Sequence, residues 1–251
     1  MIEIVVLVMA GLGAGALNAI AGGGTFLSFP ALVWAGVPPI VANATATFAA
    51  LPGYATSAWA YRDQIDVDGR PSLAQIIATA IIGGLIGAFL LLVTPEELFA
   101  WVVPWLLLVA TATFAVGPSL MRRMTKSGWK LSDRSGLGFL LGVSIYGGYF
   151  NGGLGIMLLA TLGILGMTNL HKMNGLKNLI SVVLSVVSVV TYTVAGLIDW
   201  YGLSIVGISC AIGGYVGANA ARRIRNVALL RGFIVAVGLT MTAVFFAQTY
   251  G

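Results

Sequence analysis

The chain is poor in charge. Only 8% of its 251 residues are charged, against about 25% in an ordinary soluble domain, while 59% are hydrophobic and the mean hydropathy is +0.98. A water-soluble globular domain is excluded by that composition. One cysteine, Cys210, lies in an apolar run, so the chain can build neither a disulfide framework nor a cysteine-based metal site by itself. The short alternating segments of a membrane β-barrel are also missing. Long continuous apolar runs stand in their place and point to an all-α integral membrane protein.

Basic residues are few but grouped. The net charge of +5 comes from Lys and Arg in short loops between apolar spans, which is the pattern of topology signals and not of a nucleic-acid patch. Residues Met1 to Ala21 have the outline of a signal peptide, with Ala19-Ile20-Ala21 resembling a cleavage site. They carry Glu3 and no Lys or Arg, however, and so read as a first membrane segment.

Apolar segments run roughly from Ile2 to Ile20, Thr25 to Gly36, Ile40 to Ala60, Leu73 to Val93, Leu98 to Leu120, Leu137 to Phe150, Leu154 to Gly166, Leu176 to Leu197, Leu203 to Ala221 and Val227 to Ala247. Between the first two stand Gly22-Gly23-Gly24. Each glycine costs roughly 1 kcal/mol against alanine inside a helix, so three together break it. A broken helix in hydrocarbon is tolerated only where its backbone is buried in protein or lines a wet cavity. A second break follows at Asn151-Gly152-Gly153. The segments after the two breaks are too short to cross a bilayer and read as candidate re-entrant arms.

The breaks belong to a repeat. Gly22 and Gly152, Gly36 and Gly166, and Gly83 and Gly213 are all separated by 130 residues, the last pair opening the matching runs Gly83 to Ala88 and Gly213 to Ala218. An internal duplication follows: a first membrane repeat over residues 1–120, a basic linker over 121–135 and a second repeat over 136–251. If each copy is a glycine-broken hairpin beginning and ending on one side, followed by three spans, a cytoplasmic linker puts all 13 Lys and Arg inside. Glu3, Glu96, Glu97, Asp199 and both termini then lie outside. Were the second hairpin a single span, Arg222, Arg223, Arg225 and Arg231 would face outward. An odd number of crossings inverts the second copy relative to the first, the arrangement of transporters whose substrate site lies where two broken helices meet near the midplane. The plainer reading is that the glycines only let helices pack closely.

Several residues at the breaks suit an anion. Helix N-termini and exposed glycine N–H groups favour negative charge. Asn18, Thr25 and Ser28 surround the first break, and Asn151 opens the second. Beyond each short arm lies another polar strip. Asn43 and Thr47 share a face of a helix while Thr45 points away; Asn174, Lys177 and Asn178 share a face by i, i+3 and i+4 spacing. Two readings of Lys177 stand side by side: it attracts the anion, or it snorkels to the cytoplasmic surface. The solitary His171 falls in a cytoplasmic loop; a proton-relay role is the other reading. All eight carboxylates fall in loops or termini of this topology, which argues against a cation substrate and a carboxylate-based proton pump. No cofactor or metal is called for.

The stretch Gly22-Gly23-Gly24-Thr25, Pro30-Ala31-Leu32 and Gly36-Val37-Pro38-Pro39 leading into Ala42-Asn43-Ala44-Thr45 resembles the sulfite exporter TauE/SafE family. The region Asn151 to Asn178 and the turn Gly196-Leu197-Ile198-Asp199-Trp200 are similar as well, so the resemblance covers nearly the whole chain. The family pattern often reads Ala-Thr-Ser after the proline pair, whereas Ala44-Thr45-Ala46-Thr47 stands here. The resemblance implies a permease of the bacterial inner membrane, associated with sulfite, sulfonates and related sulfur-containing anions. The expectation is a non-enzymatic exporter of such an anion, with the lipid bilayer as its surroundings and a homo-oligomer compatible with it. The expected substrate-binding residues are Asn18, Gly22, Gly23, Gly24, Thr25, Asn43, Thr45, Thr47, Asn151, Gly152, Gly153, Asn174, Lys177 and Asn178. The alternatives are an intramembrane enzyme, for which no Gly-x-Ser-Gly nucleophile motif or metal-ligand cluster is present, and a non-transporting membrane subunit.

Overall fold

The computed structural model describes the backbone of residues 1–20, 22–65, 71–127, 132–221 and 227–251; side chains at 19, 20, 118, 120–127, 170, 218–221 and 227–231 also lie outside the description. Among the described residues it is all helical. The elements are α1 (Ile2–Ile20), α2 (Thr25–Trp34), α3 (Pro39–Ala60), a short 3₁₀ turn (Arg62–Gln64), α4 (Leu73–Val93), α5 (Glu96–Ser127), α6 (Asp133–Tyr149), α7 (Leu154–Ile164), α8 (Leu170–Val194), α9 (Trp200–Ala221) and α10 (Val227–Tyr250). Helix α5 continues through seven of the residues assigned to the linker from sequence.

Local chemistry sets the ends. Ser72 and Gln75 form a capping box at the start of α4, and the Asn169 side chain accepts from the His171 and Lys172 N–H groups at the start of α8. The two short helices end alike. Gly36 (φ +87°) follows α2 and Gly166 (φ +89°) follows α7, and the next residue in each case donates back to the carbonyl five before it, Val37 to Leu32 at 3.1 Å and Met167 to Leu162 at 3.0 Å. Only glycine enters that left-handed conformation freely, so these matched stops follow from the sequence.

Five helices are long and apolar enough to cross a membrane: Leu73–Val93, Glu96–Gly117, His171–Val194, Trp200–Gly217 and Gly232–Tyr250. Apolar side chains point outward from them, among them Leu85 and Phe89 of α4, Trp101 and Trp105 of α5, Val190 and Val194 of α8, and Ile208 and Ile212 of α9. In water such a surface would drive aggregation, whereas lipid tails solvate it. Helix α3 has the length but carries Asn43, Thr45 and Thr47, all buried. Helices α2 and α7 have 10 and 11 residues, about 15 Å each, half of a ≈ 30 Å hydrocarbon core.

Small residues hold the closest packing. Gly11 lies against Ser209, Leu12 against Gly213, Gly15 against Cys210 and Gly214, and Ala16 against Gly217, so contacts climb both helices together and α1 and α9 run parallel. Gly83 meets Ser144 and Gly87 meets Gly148 and Tyr149, making α4 and α6 parallel as well. With little hydrophobic drive between helices in lipid, close backbone approach supplies the attraction. Helices α3 and α8 run antiparallel, because Thr45 near the start of one bonds Asp199 beyond the end of the other, and Tyr61 beyond the first packs on Gly175 near the start of the second. Helices α5 and α10 are also antiparallel, pairing Trp101 with Tyr250, Trp105 with Phe246 and Thr111 with Gly238. Each pairing has its counterpart five helices on: α1 with α9 answers α6 with α4, and α3 with α9 answers α8 with α4.

Candidate functional site

The first break forms because α1 ends on Gly22, whose N–H donates to Leu17 O at 3.0 Å with φ at +78°. Asn18 then reaches forward, its Oδ1 accepting from the Gly24 N–H at 2.8 Å. Ser28 Oγ donates to Gly24 O at 3.4 Å. Asn18 and Ser28 therefore brace the break. Thr25 is buried at the first position of α2. The glycines are also demanded by space: a methyl group at position 23 would lie 2.9 Å from the Phe114 ring of α5, and one at position 24 would lie 2.6 Å from the Asn18 amide. Ala21 falls outside the described residues.

At the second break the backbone goes extended at Phe150 (φ −148°) and turns left-handed at Gly153 (φ +74°), which caps α7. The left-handed pair is thus Gly22 and Gly153, one residue off the common offset. Tyr146 donates its hydroxyl to Gly152 O at 2.8 Å, and a methyl group at Gly153 would lie 3.1 Å from Ala110 of α5. Phe114, against the first break, is one helical turn from Ala110, against the second. The two breaks therefore sit within about 6 Å of each other along the α5 axis, beside the C-terminal half of the Glu96–Gly117 segment.

They also touch. A methyl group at Gly155, in the first turn of α7, would lie 3.7 Å from Gly22 Cα and 3.7 Å from Lys177 Cδ. Gly22, Gly155 and the Lys177 stem thus meet at one point, and Lys177 is half-buried there. Among the described residues the single ion pair joins Arg62 and Asp63, so no described carboxylate neutralises Lys177. Asn178, on the same face of α8, is buried, and Asn174 is half-buried.

Helix α3 closes the other side. Asn43 Nδ2 donates to Tyr149 O at 2.9 Å, just before the second break, and Thr47 donates to Asn43 O at 2.8 Å. Tyr54 donates to Asn151 Oδ1 at 3.5 Å. That leaves the buried Asn151 Nδ2 and Asn43 Oδ1 without partners. Thr45 lies apart, its Oγ1 accepting from the Asp199 N–H at 3.0 Å, so it pins the α8–α9 turn. His171 is exposed at the start of α8. Among the described residues no group of three or more His, Cys, Asp or Glu is placed to hold a metal.

Tyr54, Tyr146 and Gly155 were not legible as site residues. Tyr54 follows Asn43 by 11 residues, three turns along one helical face, which is the one sequence signal available for it. Chemically the site offers an ammonium group, an unpaired amide donor and the first-turn N–H groups of two short helices, a donor set suited to an anion.

A family model described as sulfite exporter TauE/SafE matches residues 7–245. The protein named "Probable membrane transporter protein ORF9" from Sinorhizobium sp. is 28% identical over 163 residues, covering 61% of this chain and 60% of that one. A "Probable membrane transporter protein" from Haemophilus influenzae is 27% identical over 236 residues, covering 90% of this chain and 88% of its own length. No solved structure matches the chain significantly. With the model match running from the first turns of α1 to the last turns of α10, the chain belongs to the sulfite exporter TauE/SafE family.

Proposed function

We propose that this chain, a multi-pass membrane transporter, exports a small sulfur-containing oxyanion such as sulfite or an organosulfonate, bound where the two glycine breaks meet. The observation that carries the reading is the contact of Gly22 with Gly155 against the Lys177 stem, with the unpaired Asn151 amide opening the second break. A buried donor without an acceptor is unfavourable by about 1–3 kcal/mol, and an anion's oxygens would relieve it.

The two halves, 1–120 and 136–251 about the basic linker, are inverted copies in this reading. The helix directions support it: α1 and α9 are parallel, α4 and α6 are parallel, and α3 with α8 and α5 with α10 are antiparallel, as strict alternation of ten helices requires. Alternation over five helices per half turns the second half over. Both termini then face the periplasm of a bacterial inner membrane, and Arg62, Arg134 and His171 the cytoplasm. The short arms α2 and α7 return from the breaks as re-entrant segments. With the cell interior negative, export of an anion is favoured by about 2.3 kcal/mol per charge per 100 mV, so the potential alone can drive it.

Purified protein in liposomes tests the function. Efflux of sulfite, ethanesulfonate or thiosulfate down a gradient, faster than in protein-free vesicles, is expected; the same leak in both rejects transport of these anions.

A further inference from the structure

Helix α8 carries more polarity than the site accounts for. At 100° per residue, Asn174, Lys177, Asn178, Ser181, Ser185, Ser188 and Tyr192 fall within an arc of about 100°, one continuous stripe. Val186 and Val190, on the opposite face, are exposed where lipid would lie. Ser181, Ser185 and Ser188 are at most 2% exposed, and none of their hydroxyls has a hydrogen-bond partner; Ser144 of α6 is buried and unpartnered in the same way.

A hydroxyl inside a helix ordinarily solves this problem by donating to the carbonyl one turn back. Four of the buried threonines do so: Thr47, Thr111, Thr161 and Thr242 each bond the carbonyl four residues earlier at 2.7–2.8 Å. The four serines do not.

They face α6. Gly136 near the start of α6 packs on Leu165, five residues before α8 begins, while Tyr192 near the end of α8 donates its hydroxyl to Gly148 O near the end of α6. The two helices therefore run in one direction, and Ser188 and Ser144 each lie one turn before a partner in that bond, at the same level of the interface. From Lys177 to Ser188 the stripe covers about 16 Å.

We propose that Ser181, Ser185 and Ser188, with Ser144 opposite, form a hydroxyl ladder that passes the oxyanion from Lys177 along α8 toward the Gly196–Asp199 turn. The inference rests on the transport reading above and adds the route taken from its site. Each serine supplies one O–H donor to an anion oxygen and can turn to the next, so the four replace part of the hydration shell without trapping the ion by charge. Alanine at these positions would keep the packing and remove the path.

Charge-selective labelling tests the ladder. In a Cys210→Ala background, single cysteines at positions 181, 185 and 188, with Val186→Cys and Val190→Cys as lipid-facing controls, are exposed in proteoliposomes to two membrane-impermeant thiosulfonates. One bears a sulfonate and the other a quaternary ammonium. The sulfonate reagent is expected to modify the ladder positions at least tenfold faster than the cationic one, with the controls inert to both and ethanesulfonate slowing the reaction. No modification at any ladder position, or equal rates for both reagents, overturns the proposal. The triple variant Ser181→Ala/Ser185→Ala/Ser188→Ala provides a second reading: at least tenfold slower ethanesulfonate flux with an unchanged or raised melting temperature is expected, because no native hydrogen bond is lost. A lowered melting temperature with normal flux overturns the ladder in favour of structural hydroxyls. Wild-type flux in the same vesicles separates the two claims. Its absence overturns transport itself, whereas flux with unlabelled ladder cysteines overturns the ladder alone.

Discussion

At the residue scale, two polar side chains near the breaks divide their work. Asn18 spends its carbonyl on the Gly24 N–H, a group that would otherwise be buried beside Ala14 and Asn18 with no helical partner. Replacing Asn18 with Ala is expected to destabilise the protein by about 1–3 kcal/mol, the usual effect of orphaning a buried donor, read as a fall in melting temperature in detergent. An unchanged melting temperature would mean that water caps Gly24 instead. Lys177 has no such structural bond: its stem lies against Gly155, and no described carboxylate is within ion-pair distance. The Lys177→Ala protein should fold normally and bind ethanesulfonate at least tenfold more weakly, about 1.4 kcal/mol, by calorimetry. Equal affinity would return Lys177 to a snorkelling role. Thr45 and Thr47 illustrate how far spacing reaches. Their opposite orientation on α3 was legible from 100° per residue, but the partner of Thr45, Asp199, lies 154 residues away and no local pattern points to it.

At the element scale, the breaks and the short arms were the most legible features. Glycine triplets and Gly-Pro boundaries act over four or five residues, and the structure stops α2 at Trp34 and α7 at Ile164 with the same glycine cap in each. The arms end slightly earlier than the apolar runs suggested, because the cap residues themselves are apolar. A leucine at position 23 would drive into Phe114 of α5, on which Phe26 of α2 packs edge-on, and into Ile234 of α10. Gly23→Leu is expected to abolish flux in liposomes while circular dichroism retains the wild-type helix content. Normal flux in that variant would remove the first break from the site. The parallel pairs α1 with α9 and α4 with α6 were signalled by the matched glycine runs 83–88 and 213–218, although the runs alone do not say which helix they meet.

At the scale of the whole molecule, the directions of the paired helices agree with the alternation that the proposed topology requires. The topology has a direct test in the same Cys210→Ala background: a cysteine at Gly251 should react with an impermeant maleimide added outside intact cells, and one at Ser132 should react only after the membrane is opened. The reverse pattern would turn the molecule over and make the potential oppose export. Two hydrophobic clusters lie inside the bundle, one spanning α1, α2, α3, α5, α9 and α10 with the C-terminal parts of α4 (Ala88, Leu91) and α8 (Tyr192), the other built from the first half of α4 (Ile76, Ala80) with α6, α7 and the rest of α8. The two halves of the sequence are thus interleaved, since the first half of α4 packs with α6, α7 and α8 while α9 and α10 pack with α1, α2, α3 and α5. A two-domain picture drawn from the repeat would have missed that exchange.

The sequence by itself determined the class, the helices, their breaks and the family, because composition, glycine conformation and apolar run length act locally and need no partner. The tertiary structure alone decided that Gly22 rests on Gly155 under Lys177, that Asn43 holds the backbone just before the second break, and that three serines of α8 stand buried and unpaired. Those facts depend on which helices lie side by side, and residues brought together from more than 100 positions apart leave no periodic trace in either stretch of chain.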